Sequence, residues 1–147
     1  MRILSQVTRT PPAPSHEALA HFEARLGFET DCWDVHYTMT GGAQDFVLLD
    51  VRSSELYEKG HIPGAIHLPH TQLNERTLEA YPKDTLFVVH CAGPHCNGAD
   101  KAAARLARLA RPVKLMIGGI EGWKDEGFEL ERGAGDPAAQ AAETQTA

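Results

Sequence analysis

One stretch of the sequence, residues 86–110, combines a short strand, a cysteine-containing loop and a helix. The strand is predicted by Leu86-Phe-Val-Val-His90, a run of β-forming residues, and the helix by the Ala/Leu/Arg-rich segment 99–110. The loop between them begins at Cys91 and contains glycine and proline. A thiol at the end of a buried strand faces the N-terminus of the next helix, where unpaired N–H groups and the helix dipole favour the thiolate. We therefore expect Cys91 to be a catalytic nucleophile.

Composition excludes several classes of protein. The 147 residues are enough for one globular domain with its own core. A formal net charge of −6 without a Lys/Arg run argues against nucleic-acid binding. No apolar run approaches the roughly 20 residues that cross a membrane, and the N-terminus lacks an apolar run of signal-peptide length. The 3 cysteines are too few for a disulfide scaffold. We expect a cytoplasmic protein, with neither nucleic acid nor membrane among its partners.

Strands and helices alternate along most of the chain. The clearest strand is Asp45–Arg52, whose four consecutive apolar residues are typical of a strand buried on both faces. Further strands are predicted at residues 65–68, 86–90 and 112–117, and helices at residues 53–59, 71–81, 99–110 and 120–126. This alternation predicts an α/β fold with a central parallel sheet flanked by helices on both faces. Sites in such sheets form beyond the carboxyl ends of strands, which is where Cys91 lies.

The chain is expected to divide into four segments. They are a flexible N-terminal segment (1–14), an N-terminal helix and connecting segment packed on the domain (15–43), the main domain (44–131) and a disordered tail (132–147). The tail is predicted from its low content of bulky apolar side chains.

The segment before the main domain is predicted to contain one helix and an edge strand. The helix begins at Ser15 as N-cap and ends at Gly27. Its apolar side chains at helical spacing, Leu19, Phe22 and Leu26, are expected to dock on the core. Residues 31–39 mix aromatic and β-branched residues, which favours an edge strand. Cys32 in this segment is expected to be a packed thiol, with no helix N-terminus or cation beside it.

Four segments, in this order, resemble the rhodanese-like domain. They are Leu49-Asp-Val-Arg52, Gly60-His-Ile-Pro-Gly-Ala65, the strand–Cys91–loop–helix unit and Gly118-Gly-Ile-Glu-Gly-Trp123. The resemblance covers residues 44–128. It implies a three-layer α/β domain and sulfur transfer through a persulfide on Cys91, without a cofactor. It also implies that Asp50, Arg52 and His61 shape the site.

The loop departs from the usual pattern of that family. The fifth residue after Cys91 is Cys96, where an arginine is common, and no Arg or Lys lies between Cys91 and Lys101. Arginine binds oxyanions through bidentate hydrogen bonds, so its absence argues against a phosphatase and makes thiosulfate, a dianion, a less favourable donor. Support for the anionic sulfur is then expected from the helix dipole, from Lys101, or from protonated His90 or His95.

The loop after the nucleophile is the expected substrate-binding loop. Its residues are Ala92, Gly93, Pro94, His95, Cys96, Asn97 and Gly98. Their backbone N–H groups are expected to cradle the anionic sulfur, because the two glycines permit the dihedral angles that such a concavity needs.

Cys96 has three open roles: a thiol that resolves an oxidised or persulfidated Cys91, a second sulfur carrier, or a small residue buried at the helix start. A disulfide to Cys91 requires Cα atoms within about 7 Å. No metal site is expected, because adjacent residues such as His90 and Cys91 point to opposite faces of a strand.

These observations predict a sulfurtransferase. It would move a sulfane sulfur from a small donor, such as thiosulfate or a persulfide, through Cys91 to a thiol, cyanide or protein acceptor. Two alternatives stay open: a thiol redox switch or reductase using Cys91 and Cys96, and a non-catalytic interaction module built on the same fold.

Overall fold

The computed structural model describes residues 3–134. The helices are α1 (Ser15–Phe28), α2 (Cys32–Thr40), α3 (Ser54–Lys59), α4 (Glu75–Leu78), α5 (Gly98–Arg108) and α6 (Gly119–Asp125), with a 3-10 helix at His70–Gln72. The strands are β1 (Glu29–Thr30), β2 (Val47–Asp50), β3 (Ile66–His67), β4 (Phe87–His90) and β5 (Val113–Met116). No described helix is long and apolar enough to cross a membrane.

The strands form one parallel sheet in the order β1-β5-β4-β2-β3. All residues of β4 and all but the first residue of β2 are buried, because both strands are central. Asp50 pairs in register with His90, so the segments that follow β2 and β4 leave the sheet side by side. The turn that follows β5 comes to the same edge. The carboxyl edge of the sheet therefore gathers the pieces that the sequence places there.

Helices cover both faces of the sheet, as predicted. On one face, α5 contributes Ala102 and Leu106 to a cluster with Phe87 and Val89 of β4. On the other face, Val35 of α2 and the α6 residues Ile120 and Trp123 pack with Leu48 and Val88. Neighbouring residues of one strand therefore serve opposite cores, which confirms the α/β architecture with a central parallel sheet.

The predicted edge strand at 31–39 is wrong, because this segment is helix α2. The Asp31 side chain accepts a hydrogen bond from the Asp34 N–H (2.8 Å) and so caps the helix. Cys32 and Val35 are buried at helical spacing, whereas Trp33 and Tyr37 are exposed. The edge strand is the preceding pair Glu29–Thr30, which joins β5.

Helix α1 exists as predicted, but its packing differs. Ser15 is its first residue rather than its cap, and the helix continues through Gly27. Leu19, Phe22 and Leu26 are each more than half exposed, so the prediction that they dock on the core is wrong. The helix lies instead at the sheet edge, where the Lys114 ammonium donates to the Leu26 carbonyl (2.9 Å).

The other predicted strands and helices agree with the structure to within a few residues. The segment 71–81 forms two short pieces, the 3-10 helix and α4, the latter with an Asn74–Thr77 capping box. Residues 3–14 are exposed. Most of the predicted disordered tail, residues 135–147, lies outside the described residues.

Candidate active site around Cys91

Cys91 is the first residue after β4, and its backbone is fixed by two neighbouring elements. Its carbonyl accepts hydrogen bonds from the Ile120 N–H (3.1 Å) and from the His90 ring (3.1 Å). The next carbonyl, of Ala92, accepts from the Glu121 N–H (2.9 Å). The beginning of α6 therefore holds the beginning of the cysteine loop, and the buried Cys91 side chain projects from a constrained backbone.

Gly119 makes this contact possible. Its φ is +58°, and a Cβ built on it would lie 2.5 Å from the Cys91 carbonyl oxygen and 2.9 Å from the Gly93 nitrogen. Both are backbone atoms that cannot rotate away. The turn at 118–119, which the sequence places at a strand end, is thus in direct contact with the backbone of the predicted nucleophile.

A tight turn brings Cys96 back to Cys91. The Cys96 N–H donates to the Gly93 carbonyl (3.1 Å), with Pro94 at the second position, where its fixed φ suits such a turn. The Cα atoms of Cys91 and Cys96 are 6.5 Å apart and the two sulfurs are joined as a disulfide. This Cα separation satisfies the limit of about 7 Å that a disulfide requires. Cys96 is partly exposed, whereas Cys91 is 7% exposed.

Gly98, the first residue of α5, leaves room for both sulfurs. A Cβ there would lie 3.0 Å from the Cys91 Sγ and 3.6 Å from the Cys96 Sγ. Any side chain at this position would crowd the two sulfur atoms. The φ of Gly98 lies outside the left-handed region, so its backbone conformation does not require glycine. The lack of a side chain matters instead because it leaves room for the two sulfur atoms.

The loop offers several unused N–H groups. Within residues 3–134, no acceptor faces the N–H groups of Ala92, Gly93, His95 and Asn97. Asn97 precedes α5 without capping it through its side chain. Lys101 and His95 are exposed. Free N–H groups at the start of a helix favour an anion, which is the property that the sequence predicts for this loop.

Asp50 and Arg52 form a buried ion pair at the end of β2. The guanidinium donates through Nε to Oδ1 (3.0 Å) and through Nη2 to Oδ2 (2.7 Å), and Nη2 also donates to the Gly60 carbonyl (2.7 Å). Burial is the largest single influence and raises the pKa of Asp50, but the hydrogen bonds from Arg52 and the electrostatic attraction of His90 and Arg52 together outweigh it, so the net shift is downward. Asp50 does not cap α3, because Ser53 does so by accepting from the Leu56 N–H (3.3 Å).

His90 lies beside this pair and directly precedes Cys91. Since the Cys91 carbonyl can only accept, the Nδ1 atom of His90 carries the proton. Its Nε2 lies 3.9 Å from the Asp50 Oδ2 and has no hydrogen-bond partner among residues 3–134. Burial lowers the pKa of His90, so the ring is neutral near pH 7. The expectation that a protonated His90 supports the anionic sulfur is therefore wrong.

His61 is held by contacts with Tyr57 and Glu131, which lie outside the cysteine loop. Its Nδ1 hydrogen-bonds the Tyr57 carbonyl (2.8 Å), its ring stacks on Tyr57 at 3.7 Å, and its Nε2 lies 3.7 Å from a Glu131 carboxylate oxygen. Its N–H also pairs with the Glu131 carbonyl. These contacts anchor the turn at 60–65.

A groove opens onto Cys91 from the side of β1 and β5. Its lining residues are Glu29, Cys91, Gly93, Pro94, Cys96, Ala99, Asp100, Leu115, Met116, Ile117, Gly118 and Gly119. The lining has no Lys or Arg; of its two carboxylates, Glu29 is paired with Arg25 (3.2 Å). The wall is otherwise mostly apolar. Among the described residues, the lining of this groove therefore offers a dianion no cationic side chain.

A second groove lies on the other side of the loop and is basic. It passes Ala92 and is lined by Arg52, Lys59, Lys124 and Arg132, but Cys91 is not in its lining. These four cations therefore line a groove that includes Ala92 of the loop but not Cys91.

Sequence comparison decides the family. The model of the rhodanese-like domain family matches residues 33–126. This chain belongs to the rhodanese-like domain family. It is 34% identical over 82 residues to the thiosulfate sulfurtransferase GlpE of Coxiella burnetii, which covers 55% of this chain and 74% of GlpE. Among solved structures, the BH2092 protein from Bacillus halodurans matches with a TM-score of 0.78 and 39% identity, over 86% of this chain and 90% of that chain.

Other relatives of this rhodanese-like domain are longer proteins. The chain is 40% identical over 93 residues to the HTH-type transcriptional regulator Rv0324 of Mycobacterium tuberculosis, which covers 63% of this chain and 40% of Rv0324. It is 33% identical over 78 residues to the putative sulfur carrier protein YrkF of Bacillus subtilis, covering 53% of this chain and 40% of YrkF. The chain thus spans about two fifths of the length of these two relatives.

Some residues of the rhodanese-like site are not apparent from the sequence. The groove wall includes Glu29 and Leu115–Ile117, because β1 and β5 form the side of the sheet next to β4. Ile117 follows β5, so the rule that sites form beyond the carboxyl ends of parallel strands indicates this residue. Nothing in the sequence indicates Glu29 as a groove residue, because the predicted edge strand begins after it, at residue 31.

The third cysteine is a packed thiol, as the sequence predicts, although it is the first residue of α2. The Cys32 Sγ contacts the carbonyl oxygens of Ile117 (3.5 Å) and Gly119 (3.6 Å). Burial, with the nearby carboxylates of Asp31 and Glu126, raises the pKa of the Cys32 thiol to about 11. Within the described residues, no group of three or more His, Cys, Asp or Glu side chains could hold a metal ion.

Proposed function

We propose that this rhodanese-like domain is a sulfurtransferase that carries a sulfane sulfur as a persulfide on Cys91. The observation that carries the proposal is the position of Cys91: it ends a central strand, its carbonyl is held by two donors, and the following loop has unused N–H groups. The names of two relatives, thiosulfate sulfurtransferase and putative sulfur carrier protein, support the same chemistry.

The reaction starts from the reduced form, with both loop cysteines as thiols. The Cys91 thiolate attacks the outer sulfur of the donor, and the S–S bond of the donor breaks with its electron pair leaving on the donor fragment. The new persulfide anion is stabilised by loop N–H groups such as those of Ala92 and Gly93. An acceptor thiolate or cyanide then attacks the terminal sulfur, and Cys91 leaves as the thiolate.

The groove favours a donor of low charge. Thiosulfate carries two negative charges, and the groove that reaches Cys91 offers it the Asp100 carboxylate and no Lys or Arg. An alkyl persulfide has one ionisable sulfur and an apolar stem that fits against Leu115 and Ile117. We therefore propose small persulfides as the better donors, with a small thiol, cyanide or a protein thiol as acceptor. Because the reaction needs a reduced Cys91, we also propose a reducing, cytoplasmic compartment.

Single variants test the proposal. Reduced protein is incubated with thiosulfate or, separately, with cysteine persulfide; the intact mass and the thiocyanate formed from added cyanide are then measured. We expect the wild type to gain the mass of one sulfur atom in samples quenched at early times and, with cyanide present, to form thiocyanate, faster with the persulfide. Cys91→Ala should lose both signals.

The matched control is Cys32→Ser, which removes the packed thiol that lies 3.5 and 3.6 Å from two carbonyl oxygens and outside the loop. It should transfer sulfur as the wild type does. Sulfur transfer by Cys91→Ala at the wild-type rate would overturn the assignment. A wild type that takes up no sulfur from either donor would do the same and leave the interaction-module alternative.

A further inference from the structure

We propose that Cys96 is a resolving thiol that converts the Cys91 persulfide into an internal disulfide and releases sulfide. The inference rests on the proposed function, since it needs a persulfide on Cys91. It adds an activity: in the absence of an external acceptor, the domain reduces sulfane sulfur to sulfide with electrons from its own two cysteines.

The loop holds Cys96 where this attack can occur. The turn closed by the Cys96 N–H and the Gly93 carbonyl (3.1 Å) directs the chain back on itself. The Cα atoms of the two cysteines are 6.5 Å apart and their sulfurs are bonded. Bond formation therefore needs no rearrangement of the fold, and the thiols are presented to each other as reactants in one molecule.

The surroundings of the sulfurs agree with this role. Gly98 has no side chain, and a Cβ there would contact both sulfur atoms (3.0 and 3.6 Å). The glycine thus leaves open the space beside both sulfurs that a side chain would crowd. Cys96 is partly exposed, so its thiol can lose a proton to water and the finished disulfide can be reached by a reductant.

The lining of the groove on Cys91 points the same way. Among the described residues that line it, no Lys or Arg is present to bind an oxyanion donor or hold a charged intermediate. The residue that stands at the fifth position after Cys91 is instead a second thiol. A thiol, which can act as a nucleophile, therefore stands where an arginine would make an electrostatic contact.

The step balances in atoms and electrons. The Cys96 thiolate attacks the inner sulfur of Cys91–S–SH, a Cys91–Cys96 S–S bond forms, and the S–S bond of the persulfide breaks with its electron pair leaving on hydrosulfide. The proton released from Cys96 goes to solvent. Two molecules of a small thiol, or one dithiol protein, then reduce the disulfide and are themselves oxidised to a disulfide.

The experiment is a single turnover without external thiol. Fully reduced protein, freed of reductant, is mixed with cysteine persulfide under argon, the small molecules are removed, and the free sulfide and the intact mass are followed with time. The wild type is expected to release sulfide and to end lighter than the reduced protein by two hydrogen atoms. Peptide mapping should place the new bond between Cys91 and Cys96.

The Cys96→Ser variant should retain the added sulfur. Its thiol-free sulfide release should fall by about a hundredfold or more, because an oriented internal thiol is lost, and sulfide should appear only when a thiol is added. Cys32→Ser is the matched control and should behave as the wild type. Cys91→Ala should neither gain sulfur nor release sulfide.

Failure of this inference can be told from failure of the proposed function. If the wild type gains sulfur but keeps it as long as Cys96→Ser does, the resolving role is overturned and the sulfurtransferase stands. If the wild type neither gains sulfur nor releases sulfide, both are overturned. If Cys96→Ser does not fold, the wild-type time course alone decides, because a persistent persulfide without sulfide contradicts the proposal.

Discussion

Replacing Gly119 with alanine introduces a methyl group where the backbone of the cysteine loop leaves no space. The Cβ would stand 2.5 Å from the Cys91 carbonyl oxygen, 2.9 Å from the Ala92 carbonyl carbon and 2.9 Å from the Gly93 nitrogen. Contacts this short require the loop and the start of α6 to separate. Two hydrogen bonds join these segments, from Ile120 to Cys91 (3.1 Å) and from Glu121 to Ala92 (2.9 Å), and both would lengthen or break.

The expected loss of stability has two causes. Alanine at a φ of +58° costs about 1–2 kcal/mol on its own. Loss of the two hydrogen bonds costs about 1 kcal/mol each. We therefore expect Gly119→Ala to lower the free energy of unfolding by roughly 3–4 kcal/mol, which for a chain of this size corresponds to a fall of about 10 °C in Tm.

Gly127→Ala is the matched control. Gly127 also has a left-handed φ, +79°, but nothing lies within 4 Å of the position of its Cβ. This variant should lose only the conformational share, about 1–2 kcal/mol. Urea unfolding of the reduced proteins, followed by circular dichroism, measures both values. If the two variants have the same urea midpoint and slope, close contact with the cysteine loop does not add to the cost of Gly119→Ala, and the reasoning is refuted.

Two further predictions concern buried polar side chains, His90 at the end of β4 and Arg111 just before β5. The pKa of His90 is lowered by burial, so the unfolded state binds the extra proton first, and stability should fall by up to about 1 kcal/mol per pH unit below pH ~6.5. His90→Asn keeps a donor for the Cys91 carbonyl, and in this variant the dependence of stability on pH should be weaker. Urea midpoints are measured from pH 7.5 to 5.5, about one unit either side of the ordinary pKa of a histidine. The same pH dependence in the wild type and the variant would contradict the argument. Arg111 is buried and donates to the carbonyls of Leu78, Tyr81 and Pro82, so Arg111→Met should cost about 3 kcal/mol of unfolding free energy. The exposed Arg108→Met should change it little, and a similar loss in both variants would show that the carbonyl contacts are unimportant.

The sequence predicts those features of the fold and the site that depend on a single strand or a single loop. The apolar runs before Asp50 and before Cys91 are buried on both faces, so their composition alone identifies central strands of a parallel sheet. The carboxyl-end rule then brings Cys91, Asp50 and the turn at 118–119 to one edge without knowledge of side-chain contacts. Local sequence and a topological rule are sufficient for that much.

Contacts between distant segments are not recoverable in this way. The apolar stripe of α1 has the same spacing whether it is covered or not, and Phe22 is exposed because α1 lies at the sheet edge rather than over a face. Helix α2 is too short for periodicity to overrule its β-forming residues, and the Asp31 cap is the one local sign of it. The neutral state of His90 follows from complete burial, which only the packed sheet produces.

The identity of residue 96 connects the donor to the fate of the sulfur. A loop arginine would bind the oxygens of thiosulfate, but a persulfide donor has no such oxygens, and the loop N–H groups can support a single negative charge without it. A thiol at this position then changes what happens next, because it competes with every external acceptor for the S–S bond on Cys91. Cys96 attacks the inner sulfur and releases sulfide, whereas an acceptor attacks the outer sulfur and keeps it. With cyanide as the acceptor, the ratio of sulfide to thiocyanate should therefore fall as the cyanide concentration rises in the wild type and stay near zero in Cys96→Ser. A ratio independent of cyanide would mean that the two thiols do not act on one persulfide.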